Sequence, residues 1–284
     1  MGGCARDQVS ASEQARKHGE RDFLREYLAQ APLALALPRA IECCLLSEWK
    51  LERPVLDIGC GDGLFVQVLG LYPEVGLDLS PRELRSAANR GSHCALVCAD
   101  VAALPFREGC FATILANGVL EHVRDLIGGL REMARVLKPG GRLIFTVPLG
   151  EETLLPGRVS DGFWGRWLAR LYGRAYNRVF DHVNLLTAQG WGELLARNGL
   201  ELVYQRTYGS KEVLRTHRLM LPASLPSLLY KRFTGRWVFS PALRRATWGA
   251  LWAGLLREQY ARASATGGMC LLGIARPSLG DVAS

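Results

Sequence analysis

The spacing of apolar residues divides the chain into regions with different predicted structure. Before residue 50 the apolar residues recur at helical intervals, as Phe23, Leu24, Tyr27 and Leu28 do. From Pro54 onward, short apolar runs alternate with stretches of helical spacing, and such runs are typical of strands buried on both faces. The runs predicted as strands are 54–59, 75–79, 95–98, 111–116, 142–147, 199–204 and 268–275. The pattern therefore predicts a doubly wound α/β fold with a seven-stranded, mostly parallel sheet and right-handed crossovers.

Two interruptions of this alternation suggest a domain organisation. One is a stretch rich in Trp, Arg and Tyr after the fifth strand, and the other separates the last two strands. The proposed regions are an N-terminal helical segment (1–50), an α/β core (51–206 and 267–277), a helical insertion (149–186) and a second insertion (207–266). In the N-terminal segment we expect a helix from Ala40 to Trp49, beginning after Pro38.

Charge is distributed unevenly over these regions. The 284 residues carry a formal net charge of +8, yet residues 1–150 hold 17 basic and 18 acidic side chains. Residues 206–262 hold 11 basic side chains and only two acidic ones, Glu212 and Glu258. The excess of positive charge therefore belongs to the second insertion and says little about the core.

Composition narrows the class of protein. With 49% hydrophobic and 22% charged residues the whole chain is not disordered, and no run reaches the roughly 20 apolar residues that span a bilayer. The eight cysteines have no CxxC or Cys/His finger spacing, so we expect reduced thiols. The N-terminus is charged and lacks the apolar segment of a secretory signal, which favours a cytoplasmic location.

A glycine-rich loop, 57–63, follows the first predicted strand at the edge of the sheet where ligands bind in such folds. Asp78 ends the second strand 21 residues after Asp57, where a carboxylate can accept both hydroxyls of an adenosine ribose. The dinucleotide fingerprint requires glycine at the position of Leu64, and the Walker lysine is also missing. The loop therefore favours a monomeric adenosine ligand, with a tight structural turn as the alternative.

Further segments in a fixed order strengthen this interpretation. They are Val55–Gly63, Gly76–Ser80, Ala99–Phe106, Asn117–Val123 and Leu137–Gly141. Together they resemble the motifs of the class I S-adenosylmethionine-dependent methyltransferases, in particular the small-molecule, type 11-like branch. The resemblance extends from about Val55 to Pro148 and implies a Rossmann-like methyltransferase fold with S-adenosyl-L-methionine as cofactor.

The resemblance also implies contacts to the cofactor. Asp57 would orient the loop and meet the methionine ammonium, Asp78 would hold the ribose, and Asp100 would bond the adenine amino group. Leu79 and Val101 would pack on the adenine faces, although both also suit ordinary core. The full set implied is Asp57, Gly59, Cys60, Gly61, Asp78, Leu79, Asp100, Val101 and Asn117, the last through its backbone.

Methyl transfer from a sulfonium needs alignment and no metal, and it needs a base only when the acceptor must lose a proton. His122 and His182 are the candidate bases, with packing or helix capping as the alternative for His122. Some relatives bind a metal through Glu-x-x-Glu-His at this point of the chain. Here Gly118 stands where the first glutamate would be, so we expect no metal.

The second insertion bears on the acceptor. Arg245 to Leu256 places Trp248, Leu251, Trp252, Leu255 and Leu256 on one predicted helical stripe flanked by arginines. Such a stripe favours contact with an anionic membrane surface and a hydrophobic or lipid-like small-molecule acceptor. Packing of the stripe on the core is an equally good interpretation.

Other functions stay open at this point. The basic insertion permits an RNA methyltransferase, but the chain has no recognisable RNA-binding module and no Asn/Asp-Pro-Pro-Tyr or Phe motif, so nucleic acid is not the expected partner. A polar acceptor such as a sugar is also compatible. A noncatalytic adenosine-binding protein would be expected to lose Asp57 or Asp78, and both are present.

Overall fold

A computed structural model describes residues 21–150, 182–265 and 268–278. The first 20 residues of the N-terminal segment and most of the helical insertion proposed at 149–186 lie outside the described residues. Among the helices of these described ranges, none combines the length and apolar character needed to cross a bilayer.

Seven strands form one sheet in the order β3-β2-β1-β4-β5-β7-β6. Their bounds are β1 Val55–Ile58, β2 Val75–Asp78, β3 Ala95–Cys98, β4 Phe111–Asn117, β5 Leu137–Pro148, β6 Leu200–Tyr208 and β7 Cys270–Pro277. The pairs among β1 to β5 are parallel, whereas β7 runs antiparallel to both β5 and β6. The predicted doubly wound, mostly parallel sheet is confirmed.

Helices alternate with these strands and cover both faces of the sheet. They are α1 Phe23–Gln30, α2 Leu33–Ser47, α3 Leu64–Leu69, α4 Pro81–Arg90, α5 Leu126–Val136, α6 Ala188–Arg197, α7 Lys211–Thr234, α8 Pro241–Ala246 and α9 Trp248–Ala265. Leu115 packs in an apolar cluster with α1, α2 and α9, and its neighbour Ile114 packs in a second cluster with α5 and α6. This alternation is expected for a strand buried on both faces.

Side-chain caps explain where several helices begin. Ser80 precedes Pro81 and accepts from the backbone N–H of Glu83, while Thr187 accepts from Gly190 and Ser210 from Val213. Each hydroxyl satisfies a backbone donor that has no partner within the first turn. The apolar spacing of the sequence predicts helices at 63–71, 81–89, 126–137 and 187–198, and the bounds of α3, α4, α5 and α6 agree with these to within two residues.

The helix predicted to begin after Pro38 instead begins at Leu33, so that prediction is wrong. Proline has no N–H for the carbonyl of Ala34 four residues earlier, and an unpaired carbonyl is the usual cost of proline inside a helix. Here Nδ1–H of His217 on α7 donates to that carbonyl at 2.8 Å, and the N–H of Ala34 donates to Oγ of Ser224 at 3.2 Å. Helix α7, which is far away in the sequence, therefore provides the donor that the carbonyl of Ala34 lacks because of Pro38.

His217→Ala is expected to lower the free energy of unfolding by about 1–3 kcal/mol, because it leaves the buried carbonyl of Ala34 without a donor. Burial lowers the pKa of His217, so the neutral imidazole makes this bond at pH 7. Urea denaturation at pH 7 measures the change. The control is Arg215→Ala on the exposed side of the same helix, and an equal effect of the two substitutions would contradict the assignment.

The second difference from the sequence prediction lies in β5. Strand five was expected at 142–147 after a turn at 137–141, but the strand spans Leu137–Pro148. Phe111 pairs with Leu137 and Thr113 with Arg142, so the intervening residues form a bulge within the strand. Gly140 takes a φ of 77° there, which favours glycine.

Helices α7, α8 and α9 connect β6 to β7 at the sheet edge where β5 ends. Tyr208 at the end of β6 and Pro148 at the end of β5 both pair with Cys270 at the start of β7. The connection therefore leaves the sheet at the carboxyl edge of the parallel strands, where ligands bind in this kind of fold.

Candidate active site

Five of the nine predicted cofactor residues line one cavity, which we call the cofactor cavity. It has a volume of about 680 Å³ and lies at the carboxyl ends of β1, β2 and β4. Its lining includes Gly59, Asp78, Leu79, Asp100 and Val101 from the predicted set. The remainder of its wall is Ile58, Leu77, Ala99, Gly118, Val119, His122, Val123, Arg124 and Asp125.

Asp78 is held in a fixed orientation at the mouth of the glycine-rich loop. Its Oδ2 accepts from the N–H of Gly61 at 2.9 Å, and its Oδ1 accepts from the N–H of Ser80 at 2.8 Å. Each carboxylate oxygen can accept a further hydrogen bond. The arrangement fits a vicinal diol such as that of a ribose.

Leu79 and Val101 differ in exposure although both line the cofactor cavity. Leu79 is 69% exposed, whereas Val101 is 8% exposed. An exposed leucine directly after a strand does not contribute to the core, so the core alternative is wrong for Leu79. The two side chains offer apolar surface to a planar ligand, and Asp100 lies exposed beside them.

Asp57, Cys60, Gly61 and Asn117 do not contribute to the lining of the cofactor cavity. Asp57 is buried, and its Oδ2 lies 3.0 Å from Nε2 of the buried His93. Burial raises the pKa of Asp57, and the hydrogen bond from His93 opposes that rise. The Asp57 side chain is therefore tied to His93, and both its predicted orienting of the loop and its predicted contact with the methionine ammonium stay predictions.

The glycine at position 59 is required by a close approach. It has a φ of 63°, and a Cβ there would overlap the side chain of Val119. Cys60 is buried, and its N–H donates to the carbonyl of Leu77, which joins the loop to β2. The loop is therefore packed closely between β2 and the residues that follow β4.

A second, smaller cavity of about 200 Å³ lies next to the first and is called the acceptor cavity. It is bounded by α2, by the ends of β4, β5 and β6, by the start of β7 and by the first two turns of α7. Gly118 and His122 line both cavities. These two residues therefore form the boundary at which a ligand in one cavity would meet a ligand in the other.

Glu42 organises the buried polar wall of the acceptor cavity. Its Oε2 accepts from Arg39 at 2.7 Å and from Nδ2 of Asn117 at 2.9 Å, and its Oε1 accepts from the hydroxyl of Tyr208 at 3.4 Å. The Asn117 side chain also accepts from the hydroxyl of Thr146 at 2.8 Å. Asn117 therefore reaches this network by its side chain, while its carbonyl accepts from Arg39 at 3.4 Å.

The segment that carries His182 is held against the short 3₁₀ helix at Leu120–His122. The backbone N–H groups of Val183 and Asn184 both donate to the carbonyl of Glu121. The amide of Asn184 donates to the carbonyls of Leu120 and Val123 at 2.9 and 2.6 Å. As a result the rings of His122 and His182 lie 5.1 Å apart, so the structure brings the two predicted bases together.

Glu121 joins these imidazoles and was not among the predicted site residues. It is 5% exposed, its Oε1 lies 3.7 Å from Nε2 of His122, and its Oε2 is buried with no hydrogen-bond partner among the described residues. Burial raises the pKa of Glu121 to about 7. A carboxyl group in that range exchanges a proton near neutral pH.

One potential ligand atom from each of Glu121, His122 and His182 lies within 4.8 Å of the others. Such a set can hold a divalent cation. The expectation of no metal, which was drawn from the chemistry of the sulfonium and from Gly118, stays a prediction.

Lys231 ties the end of α7 to the cofactor half of the site. Its Nζ lies 2.7 Å from Oε2 of Glu83 on α4 and 3.5 Å from Oδ2 of Asp62 in the glycine-rich loop, and it stacks over the ring of Trp237. Helix α7 therefore contacts the acceptor cavity with its first turns and the cofactor loop with its last.

Comparisons with known proteins agree with this architecture. Residues 56–145 match a family model described as a methyltransferase domain. A probable tRNA methyltransferase 9B from Homo sapiens is 40% identical over 105 residues, which are 36% of this chain and 23% of that protein. A malonyl-[acyl-carrier protein] O-methyltransferase from Legionella pneumophila is 39% identical over 108 residues, which are 36% of this chain and 38% of that protein.

The chain thus spans less than half the length of either relative. A methyltransferase from Mesorhizobium loti has the same fold, with a TM-score of 0.53 at 19% identity over 84% of this chain and 99% of that one. The fold, the cavity at the carboxyl edge and the family match place residues 56–145 in the class I S-adenosylmethionine-dependent methyltransferases. Within that class the domain belongs to the type 11 branch.

Sequence reasoning missed Arg39, Glu42 and Glu121. Glu42 gave one signal, since it is the single charged residue in the apolar run from Ala40 to Leu46. A carboxylate in such a run is either exposed or paired. Nothing in the sequence shows that its partners would be Asn117 and Tyr208.

Proposed function

We propose that this protein is a methyltransferase that moves a methyl group from S-adenosylmethionine to a small hydrophobic or lipid-like acceptor. The observation that carries the proposal is the shared wall of the two cavities at Gly118 and His122. A direct displacement needs donor and acceptor in line and in contact, and alignment of this kind lowers a barrier by up to about 7–11 kcal/mol.

The residues of the cofactor cavity fit the cofactor. Asp78 would hold the ribose hydroxyls, Asp100 the adenine amino group, and Leu79 and Val101 the faces of the ring. Bound there, S-adenosylmethionine supplies a methyl group that is already electrophilic. The chain then has to orient the acceptor, exclude water and, for a hydroxyl acceptor, receive a proton.

A group that can accept the proton of a hydroxyl acceptor lies at the boundary of the two cavities. His122 lies there, with Glu121 behind it and His182 beside it. A proton taken up by the imidazole of His122 is stabilised by the carboxylate of Glu121, as in other paired acid–base groups. His122 is the proposed base, and Glu121 and His182 are proposed to orient it and stabilise its charge.

The lining of the acceptor cavity favours an apolar molecule. Its apolar members include Leu35, Pro38, Ile41, Val213, Leu214 and Met269. A volume of about 200 Å³ admits a small molecule or the end of a chain. The network around Glu42 supplies the few polar groups that orient such a ligand.

A labelling experiment tests the acceptor class. The purified protein is incubated with methyl-labelled S-adenosylmethionine and, separately, with a total lipid extract, bulk tRNA or a pool of sugars and other polar metabolites. We expect label in the lipid extract and its loss in His122→Ala. Label in tRNA or in the polar pool would overturn the proposed acceptor. Binding of S-adenosylhomocysteine without label in any pool would indicate a noncatalytic protein.

The same assay with a chelator distinguishes a base at His122 from a metal site formed by Glu121, His122 and His182. If His122 works as a base, EDTA leaves turnover unchanged. A loss of turnover that Zn²⁺ or Mn²⁺ restores would instead assign Glu121, His122 and His182 to a divalent cation.

A further inference from the structure

Exposed apolar side chains are concentrated in the second insertion. Of the 14 large apolar residues that are exposed in the described part of the chain, ten lie between Leu219 and Leu255. Those ten are Leu219, Leu225, Leu228, Leu229, Phe233, Phe239, Leu243, Trp248, Leu251 and Leu255. Phe233 and Phe239 are 84% and 82% exposed. Scattered exposed apolar residues are ordinary, but a contiguous group marks an interaction surface.

On α7 the exposed group follows the helix. Leu219, Pro222, Pro226, Leu229 and Phe233 are all exposed and recur every three or four residues. This spacing places them on one face. That face points away from the side that carries His217 and Ser224 and contacts α2.

On α9 the predicted apolar stripe is divided between core and solvent. Leu256 is 4% exposed and belongs to the core, whereas Trp248, Leu251 and Leu255 are 67%, 55% and 61% exposed. The sequence left open whether the stripe contacts a membrane surface or packs on the core. Leu256 packs on the core, and the membrane contact of the exposed residues stays a prediction. One edge of α9 anchors the helix and the other remains available.

A groove of about 580 Å³ connects these two exposed faces. Pro226 on α7 and Trp248 on α9 both line it, so the exposed faces of the two helices meet there. Its lining contains five aromatic residues, Tyr230, Trp237, Phe239, Trp248 and Trp252. Tryptophan and tyrosine prefer the boundary between the apolar and the polar zones of a bilayer.

The groove also carries positive charge without a balancing carboxylate. Arg244 lies in its lining, and no Asp or Glu does. Burial lowers the pKa of Arg244. The segment that contains the groove, residues 206–262, carries 11 basic and two acidic side chains, and four of the cations, Arg206, Lys231, Arg257 and Arg262, are paired with carboxylates. The surface is therefore complementary to an anionic group attached to an apolar body.

We propose that the groove and the exposed faces of α7 and α9 dock on an anionic lipid bilayer. Arg244 contacts a phosphate at the head-group level, the aromatic rings lie at the interface, and Leu251, Leu255 and Phe233 enter the acyl boundary. Basic residues near an anionic surface and apolar side chains at its boundary both favour such binding.

The positive charge and the apolar surface together favour an anionic bilayer over a second copy of this chain and over a nucleic acid. A second copy of this chain would bring its own excess of positive charge to the same face. A nucleic acid would match the charge but would leave the apolar side chains in water. Helix α7 lines both the groove and the acceptor cavity, so the helix that docks also forms part of the wall of the acceptor cavity.

Flotation with lipid vesicles tests the proposal without cofactor or acceptor, so its result is independent of the proposed methyl transfer. The full chain is mixed with vesicles of phosphatidylcholine alone or with 30 mol% phosphatidylglycerol, at low and high salt. We expect at least tenfold stronger partitioning onto the anionic vesicles, weakened by salt. The fluorescence of the tryptophans should shift to shorter wavelength on binding.

Substitutions in the second insertion test which residues contact the membrane. Trp248→Ser with Leu251→Ser, and separately Arg244→Gln, should each reduce partitioning about tenfold. The control is Ile127→Ser, an exposed apolar residue outside the insertion. Equal binding by the control and the insertion variants, or no salt-sensitive binding by the intact chain, would overturn the proposal. Self-association that the Trp248 and Leu251 substitutions abolish, with no vesicle binding, would assign the face to a second copy instead.

Discussion

Asp78→Ala is expected to weaken binding of S-adenosylhomocysteine about a hundredfold or more. A hydrogen bond to a charged group contributes about 1.5–3 kcal/mol, and Asp78 would accept two from the ribose. The substitution also leaves the N–H groups of Gly61 and Ser80 without their acceptor, so the loop loses its connection to the end of β2. Both effects act on the ligand-binding surface. Isothermal titration calorimetry measures the change.

The control for this experiment is Glu193→Ala, an exposed carboxylate on α6 that is remote from both cavities. Thermal unfolding of each variant shows whether the chain remains folded. If the two variants bind S-adenosylhomocysteine equally well, the cofactor cavity has been assigned to the wrong residues. If the intact protein does not bind it, the proposed function fails as a whole.

The resemblance to the methyltransferase family implies nine cofactor residues, and five of them line the cofactor cavity. Gly59, Asp78, Leu79, Asp100 and Val101 follow consecutive parallel strands, and the carboxyl ends of such strands meet at one edge of the sheet. The order of the strands therefore brings these residues together without any knowledge of side-chain packing. Strands β1, β4 and β7 were predictable for a related reason, since a strand buried on both faces requires a continuous apolar run.

The acceptor half could not be predicted in this way. Glu42 on α2, Asn117 at the end of β4 and Tyr208 at the end of β6 meet only through the packing of α2 against the sheet. No local pattern encodes that packing. The same holds for α2 itself, whose start at Leu33 depends on His217, 183 residues away from Ala34.

The structure also changes the interpretation of the positive charge in the second insertion. Its charge was expected to bear on the source of the acceptor, but among the described residues two of its cations pair with carboxylates outside the insertion. Lys231 pairs with Glu83 and Asp62, and Arg257 pairs with Asp22. Arg244 lines the groove, and no Asp or Glu lines the groove with it. Because Lys231 pairs with Asp62 in the glycine-rich loop, a substitution of Lys231 would disturb that loop, whereas a substitution of Arg244 would not.

Glu121→Gln is expected to lower turnover about 10²- to 10⁴-fold while leaving the affinity for S-adenosylhomocysteine within a few fold of the intact protein. General acid–base groups contribute effects of this size. Glu121 lines the acceptor cavity and not the cofactor cavity, which is why binding and turnover should separate. The isosteric glutamine keeps the volume of the side chain and removes only its charge.

The pH dependence of turnover gives a second readout. Burial raises the pKa of Glu121 to about 7; Arg39 acts in the opposite direction, and Glu42 adds to the rise. The carboxylate form should increase as the pH rises through 7, so kcat/KM should rise over the same interval. Glu121→Gln should lose that rise. An unchanged profile in the variant would contradict the assignment of the rise to Glu121.

Stability should change with pH in the opposite direction. A carboxyl group whose pKa is about 7 in the folded chain and 4.5 in the unfolded chain binds its proton more tightly when folded. Its contribution is fully present below pH 4.5 and is lost as the pH rises through 7. The difference amounts to about 3 kcal/mol. Urea denaturation at pH 5 and pH 8 should show this loss in the intact protein relative to Glu121→Gln, and not relative to the exposed control Glu193→Gln. Equal pH dependence in all three proteins would mean that Glu121 is ionised in the fold at pH 5, as an ordinary glutamate is.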